Sequence, residues 1–227
     1  MLRELKALFS PRQPLAEMGT DFARMIDLTG ESVAEAGHAY FSPDPLDPEL
    51  ENSIRRRDIQ VNKLQRKIRR QVVAHLSLDP TRSDVPYCLL VMNLVKDVER
   101  LGDYAKNLAG IRSLHPDPLP DEAIVRELAG IRDWIAGDYE TLWDVFESHD
   151  EKRAGELIVE GRGITRRLDE LITEAVVAGY PGRTIAVLVL GMRFYKRIVA
   201  HLVNVLTGVV QPLHKLDYYD EDWGRSP

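Results

Sequence analysis

The sequence predicts an all-α protein, with six long helices forming two tandem three-helix bundles. Three observations carry this. Alternating apolar and polar runs, the mark of half-buried strands, are almost absent, and apolar residues recur instead at three- and four-residue spacing. Prolines fall in clusters that end each such stretch. A set of three helical stretches precedes His115-Pro116-Asp117-Pro118-Leu119-Pro120-Asp121 and another follows it, and three prolines in five residues cannot continue a helix.

Taken in order, Pro11 and Pro14 set a short amphipathic start, residues 1–13, apart from a first helix over about residues 14–41. Its buried face holds Leu15, Met18, Phe22, Met25 and Ile26, and Pro43, Pro45 and Pro48 end it. A second helix over about residues 48–77 carries Ile54, Val61, Ile68 and Val72 among many arginines. Asp79-Pro80-Thr81-Arg82-Ser83 reads as a turn, with Ser83 or Asp84 as cap of the third helix. In that helix Leu90, Leu94, Val98, Leu101, Ala105 and Leu108 form one stripe. These three make the first bundle, residues 14–115. The second, residues 120–213, has a fourth helix over about 121–148 that buries Leu128, Ile131, Ile135, Leu142 and Phe146. A fifth over about 150–179 buries Leu157, Ile164, Leu168 and Leu171. Gly179-Tyr180-Pro181-Gly182 breaks the chain before a sixth helix that ends near Gln211-Pro212, and residues 214–227 read as an acidic tail. Within the start, Leu2, Leu5 and Phe9 make a short apolar face suited to packing on the bundle or meeting a partner.

Composition narrows the function. With 44% hydrophobic and 29% charged residues the chain is an ordinary globular protein, not a disordered one. A net charge of −6 supplies no general pull toward nucleic acid. Cys88, the one cysteine, excludes an internal disulfide and reads as a buried apolar residue. The first residues are too charged for a signal peptide, and Arg193, Lys196, Arg197 and His201 interrupt the apolar run that would be needed to span a bilayer. A cytoplasmic protein is expected, touching a membrane only through a partner. Six scattered histidines form no His-Glu-x-x-His pair, and neither a glycine-rich phosphate loop nor a Gly-x-Ser-x-Gly elbow occurs. His201 lacks the Glu three residues earlier that a di-iron bundle motif needs, Ile198 standing there instead. No enzyme is expected.

The informative residues lie in Asp97-Val98-Glu99-Arg100-Leu101-Gly102-Asp103-Tyr104-Ala105-Lys106-Asn107-Leu108-Ala109. Glu99 and Asp103 stand one turn apart on the side opposite the apolar stripe, so both are expected to face outward. Such a like-charge pair costs an isolated helix roughly 0.2–0.5 kcal/mol, which Lys96 and Lys106, or a bound cation, would offset. Asp97 falls at the edge of the stripe and calls for an ion pair, with Arg100 or an arginine of the second helix.

The stretch Glu-Arg-Leu-Gly-Asp-Tyr-Ala-Lys-Asn-Leu-Ala resembles the signature of the PhoU family of phosphate-signalling proteins. That resemblance implies a surface metal site on the first bundle, built from Glu99 and Asp103 with a facing Asp-x-x-x-Asp pattern. Here that pattern reads Asp58-Ile59-Gln60-Val61-Asn62, so Asn62 replaces a charge with an amide. The expected ligand is a divalent cation such as Mg²⁺ or Mn²⁺, or an iron cluster. On the other reading Asp58 belongs to a mixed-charge face with Arg55 and Arg57. The resemblance also implies a non-enzymatic regulator of phosphate homeostasis that binds a phosphate transporter component, a sensor histidine kinase, or both. A homodimer is among the expected assemblies. A metal-free helical scaffold and a carboxylate-bridged metalloenzyme are the alternatives.

Adding 97 sets Glu99-Arg100-Leu101 over Lys196-Arg197-Ile198, Tyr104 over His201 and Asn107 over Asn204. The halves therefore read as duplicates. The acidic pair is lost in the second, becoming Lys196 and Ala200, so a metal is expected on the first bundle alone. Arg193, Lys196 and Arg197 on the sixth helix, with Arg162, Arg166 and Arg167 on the fifth, read as a solvated basic face or a patch for an acidic partner or phosphate.

Overall fold

The computed structural model describes residues 13–78, 82–115 and 117–216. Six helices run through them: α1 (Gln13–Phe41), α2 (Pro48–Leu78), α3 (Val85–Leu114), α4 (Ala123–Ser148), α5 (Glu151–Val177) and α6 (Gly182–Val210). A short 3-10 turn at Leu213–Lys215 follows, and no strand occurs among the described residues. The amphipathic start with Leu2, Leu5 and Phe9, the turn residues Asp79, Pro80 and Thr81, and the tail from residue 217 on lie outside the described residues.

Local chemistry sets the helix ends. After α4 the chain reverses within two residues: His149 takes the left-handed conformation at φ 59°, and the His149 and Asp150 N–H groups return to the carbonyls of Phe146 and Val145 at 3.3 and 3.1 Å. Asp150 then accepts the Arg153 N–H at 2.9 Å and starts α5. The cap expected at Ser83 or Asp84 takes another form. Asp84 precedes α3 but makes no side-chain cap bond. Its carboxylate is held by His75 at the end of α2 at 2.9 Å and by the Ser83 hydroxyl at 3.1 Å, so it ties the end of α2 to the start of α3.

In the first bundle α1, α2 and α3 all pack on one another. The predicted apolar faces meet in one core that includes Phe22, Met25, Ile54, Ile68, Leu94 and Leu101, with Cys88 fully buried among them. Two basic side chains of α2 reach across to α1: Arg57 pairs with Glu31 at 2.9 Å and Glu35 at 2.6 Å, and Lys67 with Glu17 and Asp21, both at 2.7 Å. Arg112, buried at the end of α3, donates to the carbonyls of Pro43, Asp44, His115 and Asp117. It locks the α1–α2 connection to the α3–α4 connection.

The second bundle is built on α6, which packs extensively on α5, while α4 rests against α5, α6 and α1. The two bundles lie side by side, joined by α3 on α6 and by α1 on α4. Leu90 and Leu94 lie beside Gly208, and Tyr104 lies beside Phe194, so α3 and α6 run antiparallel. At one end of this seam Tyr40 of α1 donates to the Val187 carbonyl at 3.2 Å with its ring against Gly191, where a Cβ would collide with the phenol.

Candidate functional site

The expected acidic residues do come together. α2 supplies Asp58 and Asn62, α3 supplies Glu99, Asp103 and Lys106, and Gly102 of α3 faces both α1 and α2 without being tightly packed. A Cβ at Gly102 would stand 3.5 Å from Thr29 Cγ2 of α1 and 4.0 Å from Asp58 Oδ1 of α2. Glu99 and Asp103 differ from the expectation in one respect. Their side chains are 18% and 28% exposed, so they are half-buried toward α2, where the expectation had them facing solvent outright. The helical wheel places a residue relative to its own axis but does not say where the next helix lies.

The charge between these carboxylates is a lysine. Lys106 Nζ donates to Asp58 Oδ2 at 3.1 Å and to Asp103 Oδ1 at 3.0 Å. Arg100 donates to Asp103 Oδ2 at 3.2 Å and stands 3.8 Å from Glu99 Oε2. Burial acts to pull the Lys106 ammonium down, yet its hydrogen bonds to Asp103 and Asp58 and their charges carry it upward overall. The Glu99 carboxyl is raised, first by burial and then by Asp103, with a smaller push from Asp58, while Arg100 and Lys106 oppose it. Asn62 turns its amide nitrogen toward Asp58 Oδ2 at 3.5 Å.

As arranged, these side chains do not fit a metal ion. A hard cation needs several converging oxygens, and here the space between two of the carboxylates is spanned by an ammonium with its donors already placed. Among the described residues no group of three or more His, Cys, Asp or Glu side chains is gathered to hold one.

Asp97 finds a different partner from the one expected. It is 1% exposed and points into the α3–α6 seam, away from Arg100 and α2, where Oδ1 accepts from His201 Nδ1 at 2.7 Å and Asn204 Nδ2 at 3.1 Å. Tyr104 stacks on His201 with ring centroids 5.6 Å apart and lies 6.1 Å from Phe194. The 97-residue offset carries Asp97 onto Phe194 and Tyr104 onto His201. The Asp97–His201 and Tyr104–Phe194 contacts are therefore images of each other, and Tyr104–His201 is a residue meeting its own image. This is the reciprocal pattern of a two-fold interface, formed here within one chain. The repeat alignment already held these residues, and an isologous seam between the copies was the reading it allowed.

The basic residues named on α5 and α6 are divided. Lys196 is paired with Asp169, and Arg167 is held by Glu127, Glu170 and Glu174. Arg193 and Arg197 are exposed and enter none of the ion pairs among the described residues. A longer basic face lies on α2, where Arg56, Lys63, Arg66 and Arg70 are exposed at helical spacing; of these only Arg56 is paired, with Glu49.

Residues 22–111, spanning most of α1, all of α2 and nearly all of α3, match the family model described as the PhoU domain. Over this span the chain matches the PhoU family. The matched PhoU span contains Asp58, Asn62, Glu99, Asp103 and Lys106, and ends before α4. The crystal structure of PhoU from Pseudomonas aeruginosa superimposes with a TM-score of 0.78 at 20% sequence identity, over 90% of this chain and 99% of that one. The PhoU helical fold thus extends through both bundles. Comparison with curated protein sequences returns no match. No helix among the described residues is long and apolar enough to cross a membrane.

Proposed function

We propose that the chain is a regulator of phosphate homeostasis that works by binding, without transforming a substrate, and that its partners are a phosphate transporter component, a sensor histidine kinase, or both. The observation that carries this reading is the PhoU-domain match over residues 22–111, which includes the whole acidic face. The physical rendering is a pair of bundles held rigid by their shared seam, presenting charged helix faces that select partners by electrostatic complementarity. Arg193 and Arg197 are the basic candidates for an acidic partner surface. In this reading the cation of the first bundle is the Lys106 ammonium. Mg²⁺, Mn²⁺ or iron would reach Glu99, Asp103, Asp58 and Asn62 only after Lys106 had swung away. The protein acts in the cytoplasm and meets the membrane through the transporter.

The test is recovery of partners. Tagged full-length chain purified from its own cells, grown with ample and with scarce phosphate, is expected to bring down a phosphate transporter component or a sensor kinase in at least one condition. Recovery of neither in both conditions would overturn the reading.

A further inference from the structure

A cleft of about 340 Å³ lies between α1 and α4, with Tyr195 of α6 at one end, away from the acidic face of α2 and α3. Its volume is on the scale of small-molecule sites. Much of its wall is apolar: Ile26, Gly30, Val33 and Ala34 come from α1 and Ala136 from α4. Gly30 carries no side chain, and the Tyr139 ring of α4 packs against the α1 backbone there, so that an added Cβ would stand 3.0 Å from Tyr139 Cδ1.

Hydrogen-bond donors gather at one end, where Tyr195 meets Arg132 of α4. The Tyr195 side chain is fully buried, lines the cleft, and carries a hydroxyl with no hydrogen-bond partner. Burial holds that phenol protonated, well above the ordinary tyrosine range, so it stands there as a donor. A Cβ at Gly37 would lie 3.1 Å from Arg132 Cγ and 3.3 Å from Tyr195 Oη, which shows how closely the two side chains meet. Arg132 commits Nε and Nη2 to Asp133 at 2.8 and 2.7 Å and lies over the Phe41 ring, which leaves Nη1 without a bond among the described residues. A buried hydroxyl without an acceptor keeps its desolvation cost, and an anionic oxygen shared with the guanidinium would remove it.

The opposite end limits what else an occupant can carry. Asp27, Glu31 and Glu140 stand there, and although Arg24 and Arg57 offset the first two, these carboxylates repel a second negative charge. Along α4, Arg132 and Glu140 are eight residues apart, so roughly 12 Å separates the ends. The cleft therefore suits one negative group at the Arg132 end and an uncharged apolar body beyond it.

We propose that this cleft binds a medium-chain monocarboxylate of the size of octanoate, with its carboxylate on Tyr195 Oη and Arg132 Nη1 and its alkyl chain along Val33, Ala34 and Ala136. The site is independent of the phosphate reading and of the acidic face.

Calorimetric titration of the full chain with octanoate, hexanoate, 1-octanol and octylamine, and of the octanoate-loaded chain with inorganic phosphate, tests it. Octanoate is expected to bind at millimolar concentration or below, and hexanoate, two methylenes shorter, about tenfold more weakly. Octanol and octylamine, which lack the anionic oxygens, are each expected to bind about tenfold more weakly than octanoate, and phosphate is expected not to displace it. Tyr195→Phe, which removes a hydroxyl that has no partner in the free protein, is expected to keep its helical circular dichroism and weaken octanoate about tenfold. Arg132→Met, which keeps an unbranched stem beside Phe41 without the charge, is expected to do the same and decides the matter if the tyrosine variant does not fold. The proposal is overturned if octanoate does not bind, if hexanoate, octanol or octylamine binds as tightly, if phosphate displaces it, or if the folded variants bind like the parent.

Discussion

Asp97 Oδ1 on α3 accepts the proton of His201 Nδ1 on α6 at 2.7 Å, and the repeat carries this polar pair onto the ring contact of Phe194 with Tyr104. One sequence unit has thus used the same seam position twice, once as a buried hydrogen bond and once as aromatic packing. The polar version has more at stake, because a buried carboxylate that loses its donors, or donors that lose their carboxylate, keep the full cost of desolvation. Asp97→Ala is expected to lower unfolding stability by about 1–3 kcal/mol in urea titrations. In a His201→Phe background the same change is expected to cost about 1 kcal/mol less, the difference being the coupling across the seam.

Lys106 bridges Asp58 and Asp103 with Glu99 close by, so removing its charge leaves Asp58 with no ion pair among the described residues and Glu99 and Asp103 with Arg100 alone. Lys106→Met is expected to destabilise by about 1 kcal/mol, consistent with a partly exposed ion pair. Added Mn²⁺ or Mg²⁺ is expected to raise the melting temperature of this variant and leave that of the parent unchanged. Equal shifts in both proteins, read by differential scanning fluorimetry, would show that the ammonium does not exclude a metal.

Asp138 of α4 is 3% exposed, and neither carboxylate oxygen has a hydrogen-bond partner. Burial raises its carboxyl to about 7, with Arg153 of α5 opposing and Glu160 of α5 adding to the rise. Between the ordinary carboxylate range and about pH 7 the unfolded chain has released this proton while the folded chain still holds it. Stability therefore falls as pH rises through that window, by at most about 1.4 kcal/mol per pH unit, and levels off above it. Asp138→Asn is expected to flatten this contribution and to be more stable than the parent at pH 8, measured by urea unfolding across the window.

Close approach of backbones makes a further contrast. At Gly191 an added methyl collides with the Tyr40 phenol, while at Gly110 it meets nothing within 4 Å. Gly191→Ala is expected to lose about 1–3 kcal/mol through forced repacking. Gly110→Ala is expected to gain roughly 0.5–1 kcal/mol from helix propensity. Thermal unfolding of the two variants separates them.

The helices were legible because each carries a continuous apolar stripe closed by proline or glycine. Asp58, Glu99 and Asp103 were legible as partners because three- and four-residue spacing fixes what shares a helix face. What spacing does not fix is the neighbour across the seam. Asp97 sits at the edge of its stripe, where spacing alone offers Arg100 of α3 and the arginines of α2 as partners. The packing of α3 against α6 gave it His201 and Asn204 instead, residues 104 and 107 positions further along the chain. Lys106 was visible as a nearby charge, but its bridging of two helices depends on where α2 places Asp58 relative to Asp103. Tyr195 and Asp138 read as ordinary positions of amphipathic helices, and only the three-dimensional packing leaves their polar atoms without partners.

The account rests most heavily on the regulation of phosphate, and removal of the gene from its own cell tests that directly. With phosphate abundant, cells lacking the chain are predicted to take up phosphate, or express phosphate-starvation functions, at a level the parent reaches only when starved, and the restored full-length chain is predicted to reverse this. Uptake and expression indistinguishable from the parent under both ample and scarce phosphate would contradict the account.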